Sequence, residues 1–199
     1  MIKKTLSIFL TIILLSNIVN ALSINNNLSN DTIYVDDDNT SGPWDGSIEH
    51  PYKEIWRGVE GASENDKVFV FSGTYTYVDT TITIDKSITL EGENIDSTII
   101  DGYNKKNIID ISADNVEISG FTIKNSGNGY SGISVSSDSN KIFNNIIKSC
   151  TKGIYIESYS KNNNIYDNEF LNCGIETSSL NNNDIYRNRI NTIDIKYIL

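Results

Sequence analysis

Apolar residues recur in the second half of the chain at a long and regular interval. Aligned on an isoleucine, four segments carry one pattern: Ile118-SGFTI, Ile142-FNNII, Ile165-YDNEF and Ile185-YRNRI, at offsets of 24, 23 and 20 residues. A second column runs beside it in Gly132-ISV, Gly153-IYI and Gly174-IET, at offsets of 21. Two registers sharing a period near 22 residues mark a repeat architecture. The repeats are made of Ile, Asn, Ser, Tyr and Gly, which favour strands and turns, whereas helical repeats run longer and carry Ala and Leu. The LxxLxL frame of leucine-rich repeats is absent. Short strands joined by Asn and Gly corners on this period describe a parallel β-helix, an all-β fold.

The parity of the pattern supports this. Inward positions of one strand differ by an even number. Ile118 and Ile123, Ile142 and Ile147, Ile165 and Phe170, and Ile185 and Ile190 are each five apart, so a bend must lie between them. Asn145, Asn168 and Asn188 occupy that gap, and Asn140, Asn163 and Asn183 mark the preceding corner. Asparagine tolerates left-handed backbone, and stacked amides can hydrogen-bond along the axis. With the isoleucines inward, Ile133, Ile154 and Ile175 form one core column, and Val135, Ile156 and Thr177 another. Earlier strands are expected at Val68 to Val70, Ile82 to Ile84, Ile88 to Leu90, Ile99-Ile100 and Ile108 to Ile111. Residues 66–199 then make about six coils.

The segment ahead of the coils, 22–65, reads as a polar stretch and a cap. Thr32 to Val35 is strand-like. Pro51 to Ala62 reads as a helix with Ile55, Val59 and Ala62 on one face, suited to covering the open first coil. At the other end Ile193 to Leu199 is strand-like and carries no cap, which raises end-to-end self-association as an expectation. Residues 1–21 have the form of a cleaved secretory signal: Lys3 and Lys4, an apolar run from Leu6 to Leu15, and Val19-Asn20-Ala21 as a small-residue site. The run is about half the roughly 20 residues that a membrane span needs, so no span is expected after cleavage. A secreted or cell-surface location follows.

Loss of the two lysines takes the formal charge from −10 to −12, because residues 1–21 hold no acid. A surface that acidic repels phosphate backbones and makes nucleic acid an unsuitable partner. Export would permit a bridge between the only cysteines, Cys150 and Cys173. They lie 23 apart, the offset of the neighbouring columns, so they should stack within disulfide range; the alternative is a buried pair of thiols. Sequons at Asn27, Asn30 and Asn39 are candidate glycosylation sites.

The stretch IYVDDDNTSGPWDGSIEHPYKEIWRGVEGASENDKVFVFSGTY, followed by ITIDKSITLEGEN and STIIDG, resembles the opening of right-handed parallel β-helix proteins of the pectate-lyase-like superfamily. It is most similar to secreted or cell-surface archaeal and bacterial proteins with NosD-type repeats. The resemblance runs from about Thr32 to Ile195 and implies the pectin-lyase fold and export. It does not imply one activity, because that fold hosts lyases, hydrolases, adhesins and proteins without chemistry.

Few residues remain for chemistry. Copper sites draw on His, Cys and Met, and beyond Met1 the chain has only His50 and the two cysteines. A lyase needs a carboxylate cluster for Ca²⁺ beside an Arg or Lys base. Arg57 falls in the cap, and Arg187 and Arg189 fall in the last coil with no evident aspartate column beside them. Asp101, Asp110 and Asp114 near Lys105 and Lys106 match no such motif, and the NTD, GHG and RIK segments of polygalacturonase-like hydrolases are missing. Asp36, Asp38 and Asp45 offer oxygen ligands for Ca²⁺ on a loop, against the reading of a solvated acidic turn. Phe143, Tyr166 and Tyr186 each follow an inward isoleucine, so they should form an outward aromatic row, either a glycan contact or a stack that joins coils. The expectation is therefore a non-catalytic β-helix with a structural, adhesive or carbohydrate-contacting role, no cofactor beyond possible Ca²⁺, and polysaccharide or cell-envelope partners. The alternative is a polysaccharide lyase or glycoside hydrolase, which an outward cluster of Asp, Arg and Lys in a groove would favour.

Overall fold

The computed structural model describes residues 30–76, 80–178 and 181–191. The signal-like residues 1–21, Asn27 and the strand-like 193–199 lie outside the described residues. Three parallel sheets wind into a β-solenoid. Sheet A comprises β1 (Thr32–Val35), β2 (Lys67–Val70), β5 (Thr89–Gly92), β8 (Glu117–Ser119), β11 (Lys141–Phe143), β14 (Asn164–Tyr166) and β17 (Asp184–Tyr186). Sheet B comprises β3 (Gly73–Thr76), β6 (Thr98–Asp101), β9 (Thr122–Lys124), β12 (Ile146–Lys148), β15 (Glu169–Leu171) and β18 (Arg189–Asn191). Sheet C holds β4 (Ile82–Ile84), β7 (Ile109–Ile111), β10 (Ser131–Val135), β13 (Lys152–Ile156) and β16 (Ile175–Thr177). Each turn visits A, B and C in order. Among the described residues five turns are complete and a sixth has strands in A and B, where about six coils are expected.

Like residues stack on like. Val68, Leu90, Ile118, Ile142, Ile165 and Ile185 share one register in sheet A. Tyr75, Ile100, Ile123, Ile147, Phe170 and Ile190 share one in sheet B. Sheet C carries the two expected columns and extends them forward to Ile82 and Ile84. Most of these side chains are fully buried, each contributing roughly 1.5–3 kcal/mol of apolar transfer. The exceptions close the series: Ile185 and Ile190 are 38% and 49% exposed.

The bends divide labour between adjacent residues. At the A–B corner the left-handed backbone falls on Gly120, Asn144, Asp167 and Arg187, not on the ladder asparagines that follow them. A residue turned to positive φ sends its side chain outward, which frees the next residue to point inward. Asn145 Nδ2 donates to Asn168 Oδ1 at 3.1 Å, and Asn168 Nδ2 to Asn188 Oδ1 at 3.1 Å. The C–A corner repeats this, with Asn140 Nδ2 to Asn163 Oδ1 at 2.9 Å and Asn163 Nδ2 to Asn183 Oδ1 at 3.0 Å. Each ladder is headed by a backbone donor, Phe121 at the A–B corner and Val116 at the C–A corner.

The front of the stack is closed by charge as well as by apolar cover. The cap helix α1 spans Ile55–Gly61, shorter than the expected 51–62, and buries Ile55, Gly58 and Val59. It ends early because Ala62 is already extended. The Lys86 ammonium, from the first B–C–A passage, donates to the carbonyls of Val59, Glu60 and Ala62 at 3.2, 2.9 and 2.7 Å. These are the carbonyls that a helix end leaves without partners. Asp66 takes the Asp31 and Ser63 amides at 3.0 and 2.8 Å, and Asp37 Oδ2 takes the Thr74 amide of the front strand of sheet B at 3.0 Å. Lys86→Met keeps the stem and removes the donors, so it is expected to cost about 2–3 kcal/mol in urea unfolding and to speed exchange of the α1 amides. Unchanged α1 exchange would show that the lysine does not hold the cap.

Candidate functional site

The outward row of sheet A is longer than Phe143, Tyr166 and Tyr186. Its register continues forward through Ser119, Glu91, Phe69 and Tyr34. The three rings lie 5.1 and 5.2 Å apart with planes within 3° and 7° of parallel. Stacking turns ring faces toward neighbours, so solvent meets mainly edges and hydroxyl groups. A sugar that packs on a ring needs a face. Among the described residues the row ends at Tyr186, which is 43% exposed.

Charges on the outer faces join successive coils. Lys67 pairs with Glu91 at 2.7 Å, Lys124 with Asp101 at 3.2 Å, Lys141 with Glu117 at 2.6 Å and Lys152 with Glu176 at 3.1 Å. Burial pushes the Asp101 carboxyl up, but hydrogen bonds from Asn125 and Tyr103 and the Lys124 ammonium together hold it below its ordinary value. Asp110, on the outer face of sheet C, differs: burial pushes its carboxyl up against a single hydrogen bond from Asn107. It is the one carboxyl among the described residues whose shift runs that way.

Two grooves indent the surface, one on each side of sheet B. The groove at the A–B corner has a volume of about 390 Å³. Ile95, from the long connection of the second coil, lines one part of it, Asn144 and Ile146 another, and Arg187 and Arg189 the rest. No aspartate column accompanies these arginines among the described residues, but each meets one carboxylate of the preceding coil. Arg187 grips Asp167 with both Nε, at 2.8 Å, and Nη2, and Arg189 Nη1 meets Glu169 Oε1 at 3.3 Å. The Arg187 guanidinium also lies 5.8 and 5.2 Å from the Tyr166 and Tyr186 ring centres. Arg187 holds left-handed backbone at φ 53°, where earlier coils use Gly, Asn and Asp. Those types take that conformation at less cost than arginine. A solvent-exposed ion pair returns little against such strain. The two-point grip on Asp167 and the two ring contacts, made across coils, are what arginine brings to this corner.

The second groove, at the B–C corner, has a volume of about 370 Å³ and is lined by Asn104, Ser126, Asn128, Ser149 and Thr151, with Cys150 at its base. Tyr103, next in sequence to the lining Asn104, and Tyr130, two past the lining Asn128, are 58% and 46% exposed. Tyr103 and Asn104 hold consecutive positive φ angles of 50° and 60°, fixed by the Asp101 carboxylate on the Tyr103 amide and the Asn125 carbonyl on the Asn104 amide. An exposed tyrosine in that conformation is unusual and points to use.

Cys150 and Cys173 stand at equivalent positions, each two past the paired Lys148 and Leu171. Both are buried free thiols. Cys150 Sγ donates to the Lys148 carbonyl at 3.4 Å and Cys173 Sγ to that of Ile147 at 3.2 Å. Burial pushes both thiols up, Cys173 to about 12 with help from its neighbour, which disfavours the reactive thiolate at both positions.

The acidic loop is not gathered around a centre. Asp36 Oδ1 accepts the Asp38 amide at 3.0 Å. Asp45 Oδ1 accepts the Ser47 amide at 3.0 Å, and the Ser47 amide and hydroxyl hold that carboxyl below its ordinary value. Among the described residues no three His, Cys, Asp or Glu groups are arranged to hold a metal ion. His50 is exposed beside this loop. Asn30 is exposed, whereas Asn39 Nδ2, the atom that would carry a glycan, donates to the Pro51 carbonyl at 2.7 Å. Among the described residues no helix is long and apolar enough to cross a membrane.

Comparison with known protein families, curated proteins and solved structures finds no match to this chain.

Proposed function

We propose that the chain is an exported, non-catalytic β-helix of the pectate-lyase-like kind with NosD-type repeats, and that it contacts carbohydrate of the cell envelope. The observation that carries this is the B–C groove. A shallow cleft lined by amide and hydroxyl groups lies on turns that also carry two exposed tyrosines, which is the side-chain chemistry that pairs with sugar rings and sugar hydroxyls. The signal-like residues 1–21 support export, and the resemblance of residues 32–195 supports the family. The function calls for no cofactor.

A carbohydrate-active enzyme is the second reading, and Asp110 favours it, because a carboxyl pushed up by burial suits a general acid. Its partner is the difficulty. The next carboxylate on the same outward column is Glu176, three strands on. Three strand spacings amount to roughly 14 Å, beyond the ~5–9.5 Å that hydrolytic carboxylate pairs require. In the A–B groove each carboxylate is bound to an arginine, so neither is a free acid. The test is retention on insoluble cellulose, chitin, mannan and pectate, with product analysis, in the presence and absence of Ca²⁺. Retention without product, weakened at least fivefold in Tyr103→Ala/Tyr130→Ala, is expected. Released oligosaccharide would replace this reading by the enzymatic one, and no retention on any polymer would end it.

A further inference from the structure

We propose that the groove at the A–B corner is a binding subsite for a neutral sugar, recognised by the Arg187–Asp167 and Arg189–Glu169 pairs. This deepens the carbohydrate reading and rests on it, but it uses different residues on the other side of sheet B.

Three features build the site. The first is its shape. The corners of the third to sixth coils are tight, whereas the second coil crosses from β5 to β6 by the longer connection 93–97, which brings Ile95 to the groove. Gly120, without a side chain, stands between that connection and Asn144 on the corner column. The resulting volume of about 390 Å³ falls within the range of small-ligand sites, which run from ~300 to ~1,000 Å³.

The second is charge. Two guanidinium groups and two carboxylates face the groove in pairs, so their formal charges cancel. An anion would have to displace Asp167 or Glu169, and a cation would have to displace an arginine. A neutral polyol needs neither. Its adjacent hydroxyls both donate and accept, and they match a planar guanidinium fork beside a carboxylate and the Asn144 amide. Arg187 keeps 64% of its side chain exposed and Arg189 74%, so donors remain free after pairing.

The third is the apolar lining. Ile95 and Ile146 supply it beside the polar groups, the combination of apolar surface and planar hydrogen-bonding groups that sugars use. The Arg187 guanidinium, 5.8 and 5.2 Å from the Tyr166 and Tyr186 ring centres, is held between this groove and the aromatic row.

Arg187→Asn is the informative variant, because Asn144 already holds this conformation in the same column two coils back and the fold should survive. Glu169→Gln is the second variant and breaks the other pair without touching the corner. The full chain is titrated calorimetrically with cellohexaose, chitohexaose and mannohexaose, and with hexagalacturonate as the acidic probe. One neutral hexasaccharide should bind, its affinity should fall at least tenfold in Arg187→Asn and in Glu169→Gln, and the thermal midpoints should stay within a few degrees of the parent. If the parent binds and both variants bind equally well, the subsite is overturned while the carbohydrate reading stands. Preference for hexagalacturonate over every neutral probe overturns the ligand class. No binding of any probe by the parent overturns the subsite and the carbohydrate reading together.

Discussion

Asn168→Ala is expected to lose roughly 3–5 kcal/mol, a large share of the 5–15 kcal/mol that holds a typical domain. The Asn168 side chain is almost fully buried and makes five hydrogen bonds. Its Oδ1 accepts from the Asn145 amide and from Asn145 Nδ2, both at 3.1 Å. Its Nδ2 donates to the carbonyls of Ile142 and Tyr166 at 2.8 and 3.0 Å and to Asn188 Oδ1. Alanine leaves the Asn145 amide inside the stack with no partner, a penalty of about 1–3 kcal/mol, and removes the contacts to the Ile142 and Tyr166 carbonyls and to Asn188. Asn168→Asp should be worse than alanine, because it turns an acceptor toward three acceptors in a dry site. The damage should be local, since coils of a solenoid contact only their neighbours. Amides of β14 to β18 should exchange faster, while β2 to β7 keep their protection. A loss under 1 kcal/mol in urea unfolding would show that the ladder decorates the corner and does not hold it.

The columns behind that prediction were legible from spacing alone. Isoleucines and asparagines recurring at 24, 23 and 20 residues can share a face only if the chain coils, and the odd offset of five demanded a corner. Which residue of each corner takes the left-handed backbone was not legible, because Asn144-Asn145 offers two candidates of one type. Strand β3 was also hidden. Gly73 to Thr76 contains no isoleucine, and its inward residue is Tyr75, whose hydroxyl donates to the Phe71 carbonyl at 3.0 Å. Asp36, Asp38 and Asp45 read as ligands for an ion, whereas the acids that serve backbone amides at the front are Asp37 and Asp66, and no local pattern states which edge amides a cap must satisfy. Arg187 and Arg189 were a different case. Their partners lie 20 residues back, the same offset already used for the isoleucine and asparagine columns, so applying it to charges places Arg187 on Asp167 and Arg189 on Glu169. The aromatic row was visible in the same way. That its rings turn their faces to one another follows only from their planes.

Gly120→Asn is expected to lose about 3 kcal/mol, although Asn144 holds the equivalent corner one coil later in the same left-handed region. Conformation alone predicts tolerance, because Asn and Gly both reach φ near 50–80°. Space predicts otherwise. A Cβ at Gly120 would fall on the backbone carbonyl of Gly92 in the preceding coil, and a Cβ at Gly92 would fall on the carbonyl of Gly120. Both obstacles are backbone, so no side chain can rotate away; the coils themselves would have to separate. The second coil differs from those after it because its A–B connection is long, which brings its chain across the corner of the third. Asn144→Gly should therefore cost no more than about 1 kcal/mol, the entropy of an added glycine, while Gly120→Asn should disrupt β5 against β8. Measured together in urea, the two reciprocal substitutions separate the effects: equal small losses would mean that only φ matters at this corner, and a loss confined to Gly120 would mean that close backbone approach sets the residue.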